Sequence, residues 1–335
     1  MRGGANFTRR YNLTSPLLFT GVLVGCISCW IIGYIYSIGF PVYGEVNATP
    51  LWNTLCLILT NKTVAYLIGL TLTFGGAFLL HRANYALMLI REKTLLPFLL
   101  YSLFISTNPD FLPLKSTSLG VFCLILALYE LFMSYHDDTQ DKAFNAAFMI
   151  GVGSLLWIHI LWFLPLFWYG MYKFRSFSLK SFMASILGAL VVYWLVLGWC
   201  IWTKDFTPFS VPFSALIKIQ PLALQDVTIV EWAGIVYVIL LTILSAINII
   251  THEYEDNVRT RQFLSFLTVF AFWAFVLYFL YGQATSEEFL EIACIPTSVL
   301  IAHFFTVVRN KTVFWLFHFT WIYCFSLLFI RIWNS

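Results

Sequence analysis

Apolar residues in this chain come in long unbroken runs, not in the alternation of half-buried strands. Runs long enough to cross a bilayer recur from Ser15 to Trp333. A spanning helix needs about 20 mostly apolar residues because the hydrocarbon core is about 30 Å thick. Backbone donors and acceptors find no water in that core, so the helix is the expected spanning form. The pattern predicts spans near residues 16–40, 64–90, 94–107, 116–135, 143–156, 158–174, 179–202, 229–251, 262–282, 288–307 and 312–332. Two pieces are short for a crossing: Thr94–Thr107, closed by Asn108 and Pro109, and Phe144–Leu156, rich in Ala and Gly. Such pieces read as interrupted helices that need protein around them. The expected fold is all-α, a polytopic transmembrane helical bundle of about eleven spans forming a single membrane domain over the whole chain.

The first run follows Arg9 and Arg10 much as a signal-peptide core follows its charged segment. It is too long for that role and ends near Ile38–Tyr43 without a small-x-small cleavage site, so it reads as a retained first helix. Composition agrees with the pattern: 60% of the 335 residues are hydrophobic and 10% charged, against roughly 25% charged in an ordinary soluble domain. Orientation follows from Lys and Arg, which collect in cytoplasmic connections. With the N-terminus inside, only Lys62, Lys115, Lys204, Lys218 and Arg331 of the 19 basic residues fall outside. This predicts an odd number of crossings and an outer C-terminus. The two long outer connections, Pro41–Lys62 and Thr203–Trp232, each carry an apolar stretch too short to span. Both read as interfacial segments placed to roof a cavity on the outer face.

Charge excludes some classes of function. The net charge of +3 comes from basic residues scattered along helix ends, which argues against nucleic acid as a partner. Walker A, nucleophile-elbow, zinc-protease and dinucleotide fingerprints are all missing, so no cofactor is expected. The seven cysteines lie mostly inside apolar runs. Cys26 and Cys29 have C-x-x-C spacing without a second pair and read as packing residues, and no metal site is expected.

Ionisable residues inside spans are costly and so are candidates for function. Glu130 stands in an apolar run and is the proton-coupling candidate, its bland alternative being a carboxylate that reaches the inner interface. Arg82 suits a phosphate through its fork of donors, or else contacts headgroups at the inner surface. Arg175 is a second phosphate candidate. His159 follows Trp157 near the outer side, either in contact with substrate or as an interfacial histidine among aromatics, and His303 and His318 read as isolated. Glu45, in the first outer connection, is the catalytic candidate, placed where a lipid-facing enzyme holds a general base, its bland alternative being a solvated loop residue.

The segments Leu95–Tyr101, Leu161–Trp168 and Lys173–Ser178, with Arg259–Thr260–Arg261 and Ile301–Phe305, resemble an uncharacterised multi-pass inner-membrane family of Bacteroidota. That resemblance implies a Gram-negative inner membrane with the outer connections in the periplasm. The layout is also similar to GT-C-type glycosyltransferases and polysaccharide polymerases. This implies a polyprenyl-linked sugar as substrate, with Glu45 as base and Arg82 or Arg175 on the phosphate. Glu45 stands alone where those enzymes commonly have an acidic pair. On the predicted topology it also lies across the membrane from both arginines. Two alternatives stay open. One is a transporter or flippase lined by broken helices at 94–113 and 143–165. The other is a non-catalytic subunit that scaffolds envelope proteins, with membrane lipids as its surroundings in every case.

Overall fold

The structure, a computed structural model, describes residues 16–38, 49–58, 61–136, 140–219, 221–222, 227–308 and 310–334. Among these residues it is all-helical, without strands. Eight helices are long and apolar enough to cross a membrane, and the chain is a polytopic integral membrane protein. The elements in order are α1 (Pro16–Tyr36), α2 (Pro50–Ile58), α3 (Lys62–Leu87), α4 (Leu96–Ser106), α5 (Ser116–Met133), α6 (Gln140–Leu156), α7 (Leu164–Lys173), α8 (Leu179–Thr203), α9 (Thr207–Ile217), α10 (Ile229–Thr251), α11 (Val258–Leu280), α12 (Gly282–Val307) and α13 (Lys311–Asn334). Short 3-10 turns at Pro109–Phe111 and Ile158–Phe163 follow α4 and precede α7.

Local chemistry sets the boundaries. Asn61 accepts from the Thr63 N–H to start α3. Ser178 with Ser181, and Thr228 with Glu231, form capping boxes at α8 and α10, each satisfying two donors that a helix start leaves orphaned. α3 stops where Met88 turns into the left-handed region and its N–H donates to the Asn84 carbonyl. The second predicted span is therefore one continuous helix of 26 residues, about 39 Å long and longer than the hydrocarbon core is thick. His81 and Arg82 belong to its last turns and not to a separate surface helix.

Long-range contacts sort the helix ends into two groups. At one end Arg91 pairs with Glu255 at 2.8 Å, Thr260 donates to the Met88 carbonyl, and the His136 N–H donates to the Phe174 carbonyl. At the other, Arg331 meets Asn108 and Asp110, Lys115 meets Glu287, and the Thr49 hydroxyl is shared between the Leu155 and Leu156 carbonyls. The ends are called here the Arg91 end and the Asp110 end. The short pieces carry the chain between them: α4 from Arg91 to Asp110, α6 back towards Thr49, and the 158–163 turn with α7 down to Phe174. α4 has 11 residues and spans only about 16 Å. It is tolerated because protein encloses it, with every residue buried except the half-buried Phe98.

The core is aromatic and aliphatic. Phe132, Phe174, Phe263 and Phe266 interlock with ring centroids 4.8 to 6.1 Å apart, in the tilted and edge-on arrangements that the ring quadrupole favours. At Gly188 a Cβ would lie 2.4 Å from the Phe144 carbonyl oxygen, so that glycine lets α8 close on α6.

Candidate functional site at the Asp110 end

The two connections expected to be interfacial form the helices α2 and α9. α2 is anchored by Trp52, fully buried against Ala65 and Leu114, and by the Thr49 hydroxyl. α9 has its C-terminal carbonyls, orphaned as at any helix end, met by side chains. His159 hydrogen-bonds the Ala215 backbone, and the Tyr281 hydroxyl donates to the Leu216 carbonyl at 2.9 Å.

Between these helices and the faces of α6 and α8 lies a cavity of about 580 Å³. Leu51 and Thr54 of α2 and Phe209 and Phe213 of α9 face Val152 of α6 and Val196 of α8 across it. Its polar groups are few and largely engaged. Tyr193 Oη and Ser154 Oγ are 2.6 Å apart, and the Ser154 hydroxyl lies equally close to the Gly151 carbonyl. The Tyr193 ring also packs on Phe213, with centroids 5.3 Å apart, so one side chain ties α6, α8 and α9 together. Such a lining accepts hydrocarbon and offers no place for a charge.

A second, charged assembly stands beside it. Asp110, in the 3-10 turn after α4, lies 3.4 Å from Arg331 near the end of α13, and Lys115, just before α5, lies 3.1 Å from Glu287. Burial and the neighbouring Glu287 carboxylate push the Asp110 carboxyl up to about 6, against the pull of Lys115 and Arg331. Burial alone would lower Lys115, but Glu287, Glu288 and Asp110 outweigh it and hold its ammonium above the ordinary value. Arg331, Asn108 and Thr107 head a smaller cavity of about 90 Å³, whose wall includes Leu290 and Cys294 of α12. Further inside, Glu291 is buried at 4% exposure.

The residues singled out in the sequence do not converge. Glu45 lies outside the described residues. His159 is at the Asp110 end, buried among Trp157, Tyr281 and Phe289, where it caps α9. Arg82, exposed in the last turns of α3, and Arg175, exposed with φ 57° just beyond α7, are both at the Arg91 end. Glu130 is half-buried, three residues before the end of α5. His303 is not isolated: its Nε2 lies 3.2 Å from an Asp256 carboxylate oxygen. The carboxylates of α12 and the pairs Asp110–Arg331 and Lys115–Glu287 escaped the sequence reading. One cue was available, the spacing Glu287-Glu288-x-x-Glu291 at the head of a predicted span.

Among the described residues no group of three or more His, Cys, Asp or Glu side chains is placed to hold a metal ion. No protein-family model matches the chain, and no curated protein matches it in sequence.

Proposed function

We propose that this chain is an envelope-glycan protein of a bacterial inner membrane that binds a polyprenyl-linked sugar, the hydrocarbon lying in the cavity between α2, α6, α8 and α9 and the sugar at the outer face. The observation that carries the reading is that cavity: its volume and nearly continuous apolar lining suit a hydrocarbon chain. α8, which forms one wall, turns Trp194 and Trp202 outwards at 74% and 84% exposure. Exposed aromatics of this kind are at home against lipid. The segregation of Lys and Arg supports a cytoplasmic N-terminus and, with it, a periplasmic Asp110 end. Glu45 precedes the cavity-lining Thr49 by four residues in the chain and is the proposed general base. Arg82 and Arg175, at the opposite end, take no part.

The test is lipid analysis of the protein purified from its own membrane. Wild type carries a polyprenyl-linked species enriched over bulk phospholipid, and Val196→Trp, which fills the cavity, loses it. Recovery of bulk phospholipid alone, in membrane proportions, overturns the reading. Glu45→Gln is expected to keep the lipid and to lose sugar transfer to an acceptor; undiminished transfer removes Glu45 from the chemistry while leaving the binding reading intact.

A further inference from the structure

α12 is the most enclosed of the eight long helices, with 83% of its apolar window buried, yet it carries ionisable groups deep inside the bundle. Glu291 is 4% exposed and His303 1% exposed. Their separation of 12 residues corresponds to about 18 Å along the axis, the central part of a core about 30 Å thick. A buried charge is retained inside a membrane bundle chiefly for a task, and chains of Asp, Glu and His are the usual means of passing protons.

Each group has the surroundings of a proton station. Glu291 is near enough to the Tyr101 phenol of α4 and to the Cys294 thiol of its own helix for each to feel its charge, and Cys324 of α13 acts on the same thiol in the same way. His303 meets Asp256, with both side chains under 7% exposed. Arg91 and Glu255 flank that aspartate. Both ring nitrogens of His303 are buried without a hydrogen bond, Nε2 being close to the carboxylate but not bonded to it, and the second oxygen of Asp256 is likewise without a partner. A histidine with a carboxylate beside one nitrogen and its other nitrogen open can take a proton on one side and give one up on the other.

Polar groups also occupy the stretch between. Ser298, two turns beyond Glu291 and so on the same face, is fully buried, as is Thr297, and each hydroxyl donates to a carbonyl of its own helix. Their lone pairs remain to accept. Pro296 stands in the same stretch and removes the backbone bond to the Ile292 carbonyl, which leaves a further buried acceptor. The Asp110, Lys115, Glu287 and Arg331 assembly closes the line at one end, and Arg91 with Glu255 closes it at the other.

We infer that α12 carries protons across the bundle, with Glu291 as the station towards the Asp110 end and the Asp256–His303 pair as the station towards the Arg91 end, linked by the buried hydroxyls and internal water. No bond other than those to the moving proton changes. At the pair, the proton arrives on one imidazole nitrogen as another leaves to Asp256.

The test reconstitutes the full chain in liposomes that trap a pH-sensitive dye and drives protons with a potassium gradient and valinomycin. Wild type is expected to acidify the lumen well above the protein-free rate. Glu291→Gln and His303→Gln should each fall to the protein-free rate, while Glu130→Gln keeps the wild-type rate. Wild type no faster than protein-free liposomes overturns the inference, and loss of flux in Glu130→Gln alone moves the path to α5. Infrared difference spectra of wild type between acidic and neutral buffer guard against misfolded variants. A carboxyl band absent from Glu291→Gln is expected, and its persistence in a monodisperse variant removes Glu291 as a station.

Discussion

α8 and α12 are nearly equal in length, 25 and 26 residues, and their environments are opposite. α8 is the more hydrophobic, with a mean hydropathy of 2.1 over its apolar window against 1.7 for α12, yet only 28% of that window is buried against 83% for α12. In water the more apolar helix would be inside. In lipid the hydrocarbon chains are as apolar as leucine, so hydrophobicity gives no reason to leave them. Small residues, close packing and polar groups that need partners decide which helix is enclosed. α8 accordingly buries one stripe, Ser181, Ser185, Gly188, Ala189 and Val192, at helical spacing, with Cys200 near its end. α12 hides Glu291, Thr297, Ser298 and His303.

The largest effect expected from breaking this contrast is at Phe305 of α12, fully buried and edge-on to Phe317 at 5.2 Å. Phe305→Ala should cost about 3 to 5 kcal/mol through lost packing, read as a lower unfolding midpoint in detergent. Next comes Gly188→Ala in the single buried stripe of α8, where the Phe144 carbonyl must move away. Overpacking of that kind costs about 1 to 3 kcal/mol, and a midpoint equal to wild type would show that α6 and α8 are free to separate.

A smaller effect, dependent on pH, is expected at Asp110. Its carboxyl is raised in the folded protein to about 6 from an ordinary 3.8. A carboxyl raised on folding binds its proton more tightly when folded, so its contribution to stability is fully present below the ordinary value and is lost as pH rises through the raised one. Asp110→Asn cannot ionise, so its stability relative to wild type should climb between those two values and level off above them. Melting curves across that window check it, and a flat difference would show that Lys115 and Arg331 already compensate the charge. The smallest effect is at the exposed face of α8. Trp194→Leu, at a residue 74% exposed, should leave stability within about 0.5 kcal/mol of wild type.

Much of the architecture was legible because apolar run length is a property of single segments. Each predicted span has a helix, the short pieces 94–107 and 143–156 included, and the apolar stretches in the two outer connections became α2 and α9. The charged partnerships were not legible in the same way. Asp110 and Arg331 are 221 residues apart in the chain, and Lys115 and Glu287 are 172 apart, so nothing in the local sequence pairs them. Asp256 lies between the spans predicted at 229–251 and 262–282, far from His303 in the chain, so His303 read as isolated. The sequence displayed Glu130 as the embedded carboxylate because its neighbours are apolar. The fold leaves it half-buried near the end of α5 and encloses Glu291.

The sequence by itself determined that this protein lives in a membrane, that it is a bundle of helices, and where along the chain most of its helical segments fall. Those follow from the thickness of hydrocarbon and from the need to satisfy every backbone group locally. Only the tertiary structure decided which apolar helices meet lipid and which meet one another, where α2 and α9 leave a cavity, and which distant charges share a buried site. Those depend on packing between helices whose sequences are alike in hydrophobicity and differ in shape and in the partners that their few polar groups require.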